Sequence, residues 1–501
     1  MNYYLGIDMG GTVIKAALFD NEGREIKNCG KKLEVLCPEP DMYERDLEAS
    51  KKAFYDVVSD VLRESKIDAS DIKGIGVTGQ ANGLYMFDDK GEPVYNAILS
   101  SDMRAKDYIV GWLNDGTWKE KLLPKINQQI WAGNTPTLMR WFKDNKPDVI
   151  KKARHCVTAK DYLRYLLTGE FCLEYTEASG TASMDQSKRV QTQEIFDIYG
   201  IGDLFDKLPK KIAECVEVVG VVTKECADKT GLKAGTPVVG GQMDTGACII
   251  STGVVDKDQL GMIVGSWSIN SIVRNKPVTD PNLFMCYEYC LDNMYCYMEG
   301  SSTSGTNKEW FLDNILKDIE RSVIYKEVSS MVDSTPYRDT LIFLPFLYGT
   351  NAHINAKASF IGLKGGHTRK EMARAVHEGI VFSHRYHVER LLPYIDKVSS
   401  IRMAGGGAKS KDWMQMFSDI FGYKVETSEA EELGAMGVAM EAAVGTGEYD
   451  SLRQVVDKWV KIKDVYEPDI EKTKYYEEKY SVYKKILNAL DSVWDDIENL
   501  G

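Results

Sequence analysis

The sequence predicts an α/β protein built from two related domains, and three observations carry that expectation. Apolar strand-like stretches alternate along the chain with segments of helical periodicity. The order strand hairpin, long helix, buried strand, glycine-rich turn occurs once in each half, which marks a fold-scale duplication rather than a short-period repeat. Finally, the chain has 501 residues, 44% of them hydrophobic and 27% charged. At roughly 100–200 residues per domain that length makes two to four domains, and the average composition excludes a disordered or fibrous chain.

In chain order, residues 3–8 (YYLGID) and 13–19 (VIKAALF) read as strands joined by a glycine turn, 9–12 (MGGT). A tight turn follows at Asn21-Glu22-Gly23. Leu47, Phe54, Val57, Val58, Val61 and Leu62 recur at helical spacing and predict a helix over 47–66. A buried strand, 72–78 (IKGIGVT), ends in GQANG, and helical stretches anchored by Trp112, Trp131 and Trp141 occupy the middle. The second half repeats the pattern with strands at 261–265 and 267–273. A long helix covers 369–392 behind Thr368, with Glu371 three residues on as a capping box. Strand 398–404 then ends in GGGAKS, and the tail, 468–501, reads as helix with a Tyr and Leu stripe that suits packing. The join falls near 245–260, so the expected domains are 1–250 and 251–501.

Charge and cysteine use narrow the function classes. The 62 Lys and Arg against 75 Asp and Glu give a net charge of −13, which opposes a sequence-independent grip on nucleic acid. No stretch approaches the roughly 18 apolar residues of a membrane span, and the start lacks a signal-peptide pattern. Ten cysteines without a CxxC pair predict reduced, mostly buried thiols and a cytoplasmic protein. The cysteines of CYEYCLDNMYC (286–296) read as core filler within strands. His384 and His387, with His377 two turns earlier on the same helix, lack an HExxH-type arrangement and read as surface or core histidines rather than a zinc site.

Four motifs carry chemistry. In DMGGTVIK, a strand delivers Asp8 into a turn where Gly10, Gly11 and Thr12 leave N–H groups open to phosphate; an acid there can hold Mg²⁺, and Lys15 can neutralise phosphate charge. This is neither a P-loop nor a Rossmann fingerprint. In GGQMDTGA, Asp244 stands just past a buried strand at a helix start, a place for a general base or, more plainly, a helix cap. GSWS repeats the hairpin turn with Gly265 and Ser266. In GGGAKS, Gly405, Gly406, Gly407, Ala408 and Ser410 leave a flat backbone surface on which a purine can lie, and three consecutive glycines exceed what a plain strand-to-helix loop needs. Gln80, Asn82, Asp102 and Arg104 lie on two loops of the first half and read singly as solvated loop residues.

Taken together and in order, these motifs resemble those of the FGGY family of carbohydrate kinases over essentially the whole chain. GNTPTLMRWFKDN (133–145) and ASFIGLKGGHTRKEMARAVHEG (358–379) match its signature stretches, with Arg140 where many members have Lys and His377 where an aliphatic or aromatic residue is usual. NAILSSDMRA (96–105) and FLPFLYGTNAH (343–353) resemble the L-xylulose kinase branch of that family. The resemblance implies two actin-like, ribonuclease-H-like domains flanking a catalytic cleft, with sugar held mainly by the first and ATP with Mg²⁺ mainly by the second. It implies ATP-dependent phosphorylation of a ketopentose, L-xylulose first, at its terminal hydroxyl, with Asp244 as base and Asp8 at the metal. It also implies that Gln80, Asn82, Asp102 and Arg104 bind the substrate. D-xylulose, ribulose and 3-keto-L-gulonate remain alternatives, as does an actin- or chaperone-like ATPase. The oligomeric state stays open, a dimer being common among similar kinases.

Overall fold

The computed structural model describes residues 1–500; Gly501, the end of the expected tail helix, lies outside the described residues. The chain forms two compact units. Unit 1 comprises Met1–Val255, Val273–Tyr297 and Ala430–Lys461, and unit 2 comprises Asp256–Ile272, Met298–Glu429 and the chain from Ile462 on. The units therefore differ from the expected halves 1–250 and 251–501, because two later segments return to unit 1.

Unit 1 is built on a six-stranded sheet in the order Val218–Val221, Pro237–Val239, Ile72–Gly79, Tyr3–Met9, Val13–Asp20, Glu25–Lys32. Tyr3–Met9 and Val13–Asp20 form the expected hairpin, with Asp8 opposite Lys15. Tyr3–Met9 also pairs in parallel with Ile72–Gly79, which sets Asp8 beside Thr78. The predicted helix runs Leu47–Ser65. Asp46 caps it by accepting from Ala49 N, 2.7 Å away, and Lys66 ends it in a left-handed conformation. Its buried stripe of Leu47, Phe54, Val57, Val58 and Val61 packs onto the outer strands, each such side chain contributing about 1.5–3 kcal/mol of burial.

On the other side of the central strands lies the helix Leu433–Gly445, apolar on every face except at Glu441. It approaches backbone to backbone. A Cβ on Gly6 would stand 1.9 Å from the Ala435 carbonyl oxygen, and one on Gly76 would stand 2.0 Å from that of Val438. This docking is why residues 430–461 belong to unit 1. Of the tryptophan anchors, Trp112 lies in the helix Lys106–Asn114 and Trp141 in Thr135–Asn145. Trp131 is not helical; it stacks on Phe284 in an irregular segment with ring centroids 5.4 Å apart.

Unit 2 repeats the arrangement. Its strands run Tyr295–Ser301, Ser268–Arg274, Gln259–Val264, Ser400–Ala404, Val425–Ser428, Ile462–Tyr466 in sheet order. The hairpin places Val264 opposite Ser268, and Gln259–Val264 pairs in parallel with Ser400–Ala404. The helix Arg369–Leu391 carries the expected capping box, the Glu371 carboxylate accepting from Thr368 N and Oγ1 at 2.7 Å each. On this helix His384 Nδ1 meets Asn270 Oδ1 and His387 Nε2 meets Ser301 Oγ, both at 2.8 Å and buried. They belong to the polar core. The tail helix is Ile470–Leu490, and Tyr476, Tyr480, Tyr483 and Leu487 form its buried stripe. All ten cysteines are free thiols.

Candidate active site

Unit 1 gathers carboxylates at the ends of its central strands. Asp244 is the first residue of the helix Asp244–Ser251, whose N-cap is Met243 with no side-chain capping bond; its Oδ1 accepts from the adjacent Thr245 N at 2.7 Å. Burial pushes its pKa up to about 7, and the negative charge of Asp8 adds to the rise. Asp8 itself is pushed up to about 6 by burial, partly opposed by Lys15 and reinforced by Glu432. Asp8 Oδ1 is buried with no hydrogen-bond partner among the described residues. A Cβ on Gly434 would stand 2.6 Å from Asp8 Oδ2, so only glycine leaves room for that carboxylate. An acceptor near neutrality beside a second, unsatisfied acid can take a proton and hold a hard cation.

The turn after Asp8 is held from behind. Arg45, buried, donates through Nη2 to the carbonyls of Gly10 (3.1 Å) and Gly11. Gly10 N–H is spent on the Val13 carbonyl at 3.0 Å. Among the described residues no backbone acceptor takes the N–H of Gly11 or of Thr12, so both are open to a ligand that accepts hydrogen bonds, as a phosphate oxygen does. Lys15, expected on phosphate, forms an ion pair with Glu432 at 2.8 Å.

The four residues of the first-half loops fare differently. Asp102 is fully buried and saturated: Oδ1 accepts from Arg104 N and Nε, and Oδ2 from Tyr43 N and Arg104 Nη2, at 2.7–2.9 Å. Arg104 also donates to Glu44 at 2.9 Å and lies 5.0 Å over the Trp141 ring, keeping only Nη1 unpaired. Asn82 is buried between Asn134, whose Nδ2 donates to its Oδ1 at 2.8 Å, and the Gly180 carbonyl. Only Gln80, whose Nε2 is buried without a partner among the described residues, retains a free amide end close to the turn at Gly11.

In unit 2, the GSWS turn is held by the start of the helix Gly305–Asn314. Gly305 N donates to the Gly265 carbonyl at 2.8 Å, and Thr306 Oγ1 donates to that of Ser266 at 3.2 Å. Gly265 and Ser266 line a cavity of about 690 Å³ together with Gly406, Gly407 and Ser410. Gly405 has φ 88°, and the following single turn Gly406–Lys409, which includes Ala408, leads to Ser410. Ser410 stands at the N-cap of the helix Lys411–Phe421 without a side-chain capping bond. The remaining walls include Lys308, Tyr325, His377 and Trp413.

Sequence reasoning missed Arg45, which stands before a helix cap with no periodic signal. It also missed a buried ionic cluster: Lys160 Nζ lies 2.9 Å from Asp161 and 3.7 Å from Glu174, and Arg164 lies 2.7 Å from Asp161. Glu177, beside that cluster, bonds Asn82 N at 3.0 Å and leaves Oε2 unpaired. Burial raises it to about 8 against the pull of Lys160, with Asp161 and Asp244 adding to the rise. Its only signal was an acid inside a run of small residues, TEASGTAS.

The N-terminal domain of the FGGY family of carbohydrate kinases matches residues 3–251 and the C-terminal domain matches 260–446. An L-xylulose/3-keto-L-gulonate kinase of Escherichia coli (strain K12) is 34% identical over 97% of both chains. A probable L-xylulose kinase of Pasteurella multocida (strain Pm70) is 32% identical, covering 98% of this chain and 100% of the relative. Among solved structures, a ligand-bound xylulose kinase from Lactobacillus acidophilus superposes with a TM-score of 0.90 at 25% identity, covering 99% of this chain and 100% of that one. A gluconate kinase from the same organism also scores 0.90 at 25% identity, covering 99% of each chain.

Proposed function

Because this chain belongs to the FGGY family of carbohydrate kinases, and is therefore an ATP-dependent phosphotransferase of the two-domain actin-like, ribonuclease-H-like fold, we propose that it phosphorylates a ketopentose, L-xylulose first, giving the 5-phosphate and ADP. The observation that carries this reading is Asp244, poised near neutrality at a helix start beside Asp8. Two relatives named for L-xylulose, at 34% and 32% identity, support the sugar. The fold does not discriminate, since structures named for xylulose and gluconate superpose equally well.

In this mechanism Asp244 accepts the proton of the terminal hydroxyl as that oxygen attacks the γ-phosphorus. The β–γ bridging bond breaks and ADP leaves. Phosphoryl transfer asks chiefly for positioning and charge neutralisation. In unit 1 the N–H groups of Gly11 and Thr12 offer donors to phosphate oxygens and Gln80 Nε2 donates to the sugar; in unit 2 the turn at Gly265-Ser266 offers donors of its own. The unpaired Asp8 Oδ1 suits Mg²⁺, which when bound offsets phosphate charge. Ten free thiols suit a reducing compartment and support a cytoplasmic setting.

The test is ADP release across L-xylulose, D-xylulose, ribulose, 3-keto-L-gulonate and gluconate. Turnover that requires a ketopentose, highest with L-xylulose, is the expected result. Sugar-independent turnover would assign an ATPase instead, and a gluconate preference would overturn the substrate class.

A further inference from the structure

Among the polar groups that line the cavity of unit 2, two lie against Trp413 and take no part in the glycine turns. Lys308 comes from the helix Gly305–Asn314, and its ammonium lies 4.9 Å from the centroid of Trp413 and 5.3 Å from that of Tyr325. It has no hydrogen bond or ion pair among the described residues. Such a cation is costly to desolvate, the aromatic faces repay only part of that cost, and burial lowers its pKa accordingly. A ligand that accepts a hydrogen bond would supply what is missing.

The second atom is His377 Nε2. Nδ1 of this ring lies 2.8 Å from the Ala373 carbonyl. A carbonyl only accepts, so Nδ1 carries the hydrogen. Burial and then the Lys308 charge hold the imidazole pKa down to about 3, so the ring is neutral and Nε2 presents a lone pair. The ring is also fixed in place: Trp413 packs against it edge to face at 4.9 Å, and the Trp413 Nε1–H donates to the His377 carbonyl at 3.3 Å. His377 is the position where the family usually has an aliphatic or aromatic residue.

A fixed donor and a fixed acceptor thus share one wall, around Trp413. Beside them lie the bare backbone of Gly406, where an added Cβ would meet nothing within 4 Å, and the 47% exposed ring of Tyr325. Flat surfaces of this kind accept a planar heterocycle. Its polar edge must then offer a hydrogen to His377 and a lone pair to Lys308, as an aminopurine does with its exocyclic amino group and a ring nitrogen. A 6-oxopurine presents a carbonyl oxygen to the histidine lone pair instead.

We propose that His377 and Lys308 read the base edge of the nucleotide, His377 Nε2 accepting from the 6-amino group of adenine and Lys308 Nζ donating to N1, which carries a hydrogen in 6-oxopurines, so that adenine is selected over them. This rests on the cavity being the nucleotide site of the kinase. The test is calorimetric titration of the full chain, without sugar, with ADP and with IDP. Wild type binds ADP at least roughly tenfold more tightly than IDP, the cost of leaving buried groups unpaired. Lys308→Met and His377→Phe each weaken ADP by about that factor and move IDP by less than about threefold, so the preference collapses. Equal affinity of the wild type for both nucleotides, or an equal loss of both in the variants, overturns base reading and leaves the kinase reading intact. Conversely, ADP selection without any sugar-dependent turnover would overturn the kinase reading and leave base reading standing. Melting temperatures accompany every titration. Lys308 is only partly buried, so Lys308→Met decides the matter where His377→Phe does not fold.

Discussion

The two strand hairpins share a backbone plan and are clamped by different groups. In unit 1 a buried guanidinium, that of Arg45, holds the carbonyls of Gly10 and Gly11. In unit 2 a helix start does the same for Gly265 and Ser266, with one N–H and one hydroxyl. The strand leading into the first turn carries the acid Asp8, whereas the corresponding strand of unit 2 ends in Val264. Asp244 stands near Asp8, and Glu177 near Asp244, both with raised pKa. Around the second turn stand bare glycines, aromatic rings, three lysines and Glu309. The two turns share a backbone plan that leaves N–H groups open, while the side chains around them differ: buried acids in one unit, glycines and aromatic rings in the other.

The largest effect should come from the acid that only unit 1 possesses. Asp244→Asn should lower kcat by roughly 10²–10⁴ while ADP and sugar still bind, since a general base acts in the transition state. In wild type, kcat/KM should fall as pH drops below about 7. Stability runs the opposite way. The folded chain keeps a proton on Asp244 that the unfolded chain has released between 3.8 and about 7, so this group lowers stability as pH rises through that window. Asp244→Asn should therefore melt higher than wild type at pH 8. A lower melting temperature, or near-normal turnover, would remove the asymmetry between the units.

Next in size is Arg45→Met. Each charge-assisted hydrogen bond contributes roughly 1.5–3 kcal/mol, and loosening the first turn should cost about ten- to a hundredfold in kcat/KM. Steady-state kinetics with unchanged activity would show that the turn holds itself. Asp102→Ala tests whether the neighbouring loops read the sugar. Asp102 is saturated by Tyr43 and Arg104, so the change should strand a buried guanidinium, relieved in part by Glu44. Breaking a buried pair costs roughly 3–5 kcal/mol, which a lower melting temperature and an even loss across sugars should register. A loss confined to the preferred sugar would instead put Asp102 in the substrate site. Smallest should be Thr306→Val, which removes one neutral hydrogen bond from the second turn. About threefold in the KM for ATP, matching roughly 0.5–1 kcal/mol, is the expected result; an effect as large as that of Arg45→Met would make the two clamps equivalent.

What the sequence by itself determined was local. The Asp46 cap, the Thr368–Glu371 capping box, the apolar stripe of Leu47–Ser65 and the strand–glycine–strand turns rest on partners within a few residues. Their spacing therefore reveals them, and the order of those turns was enough to suggest the family. Tertiary structure decided everything that depends on groups distant in the chain. It sent residues 430–461 back to unit 1 through the close approach of Gly6 and Gly76 to a helix. It tied Lys15 to Glu432 and spent Asp102 on Arg104 and Tyr43 rather than leaving it open to a ligand. It brought Asp8 near Asp244 and shielded both from most of the solvent, which is what moves their acidity. Desolvation and Coulomb energies depend on distance through space and on what surrounds a charge; spacing along the chain encodes neither.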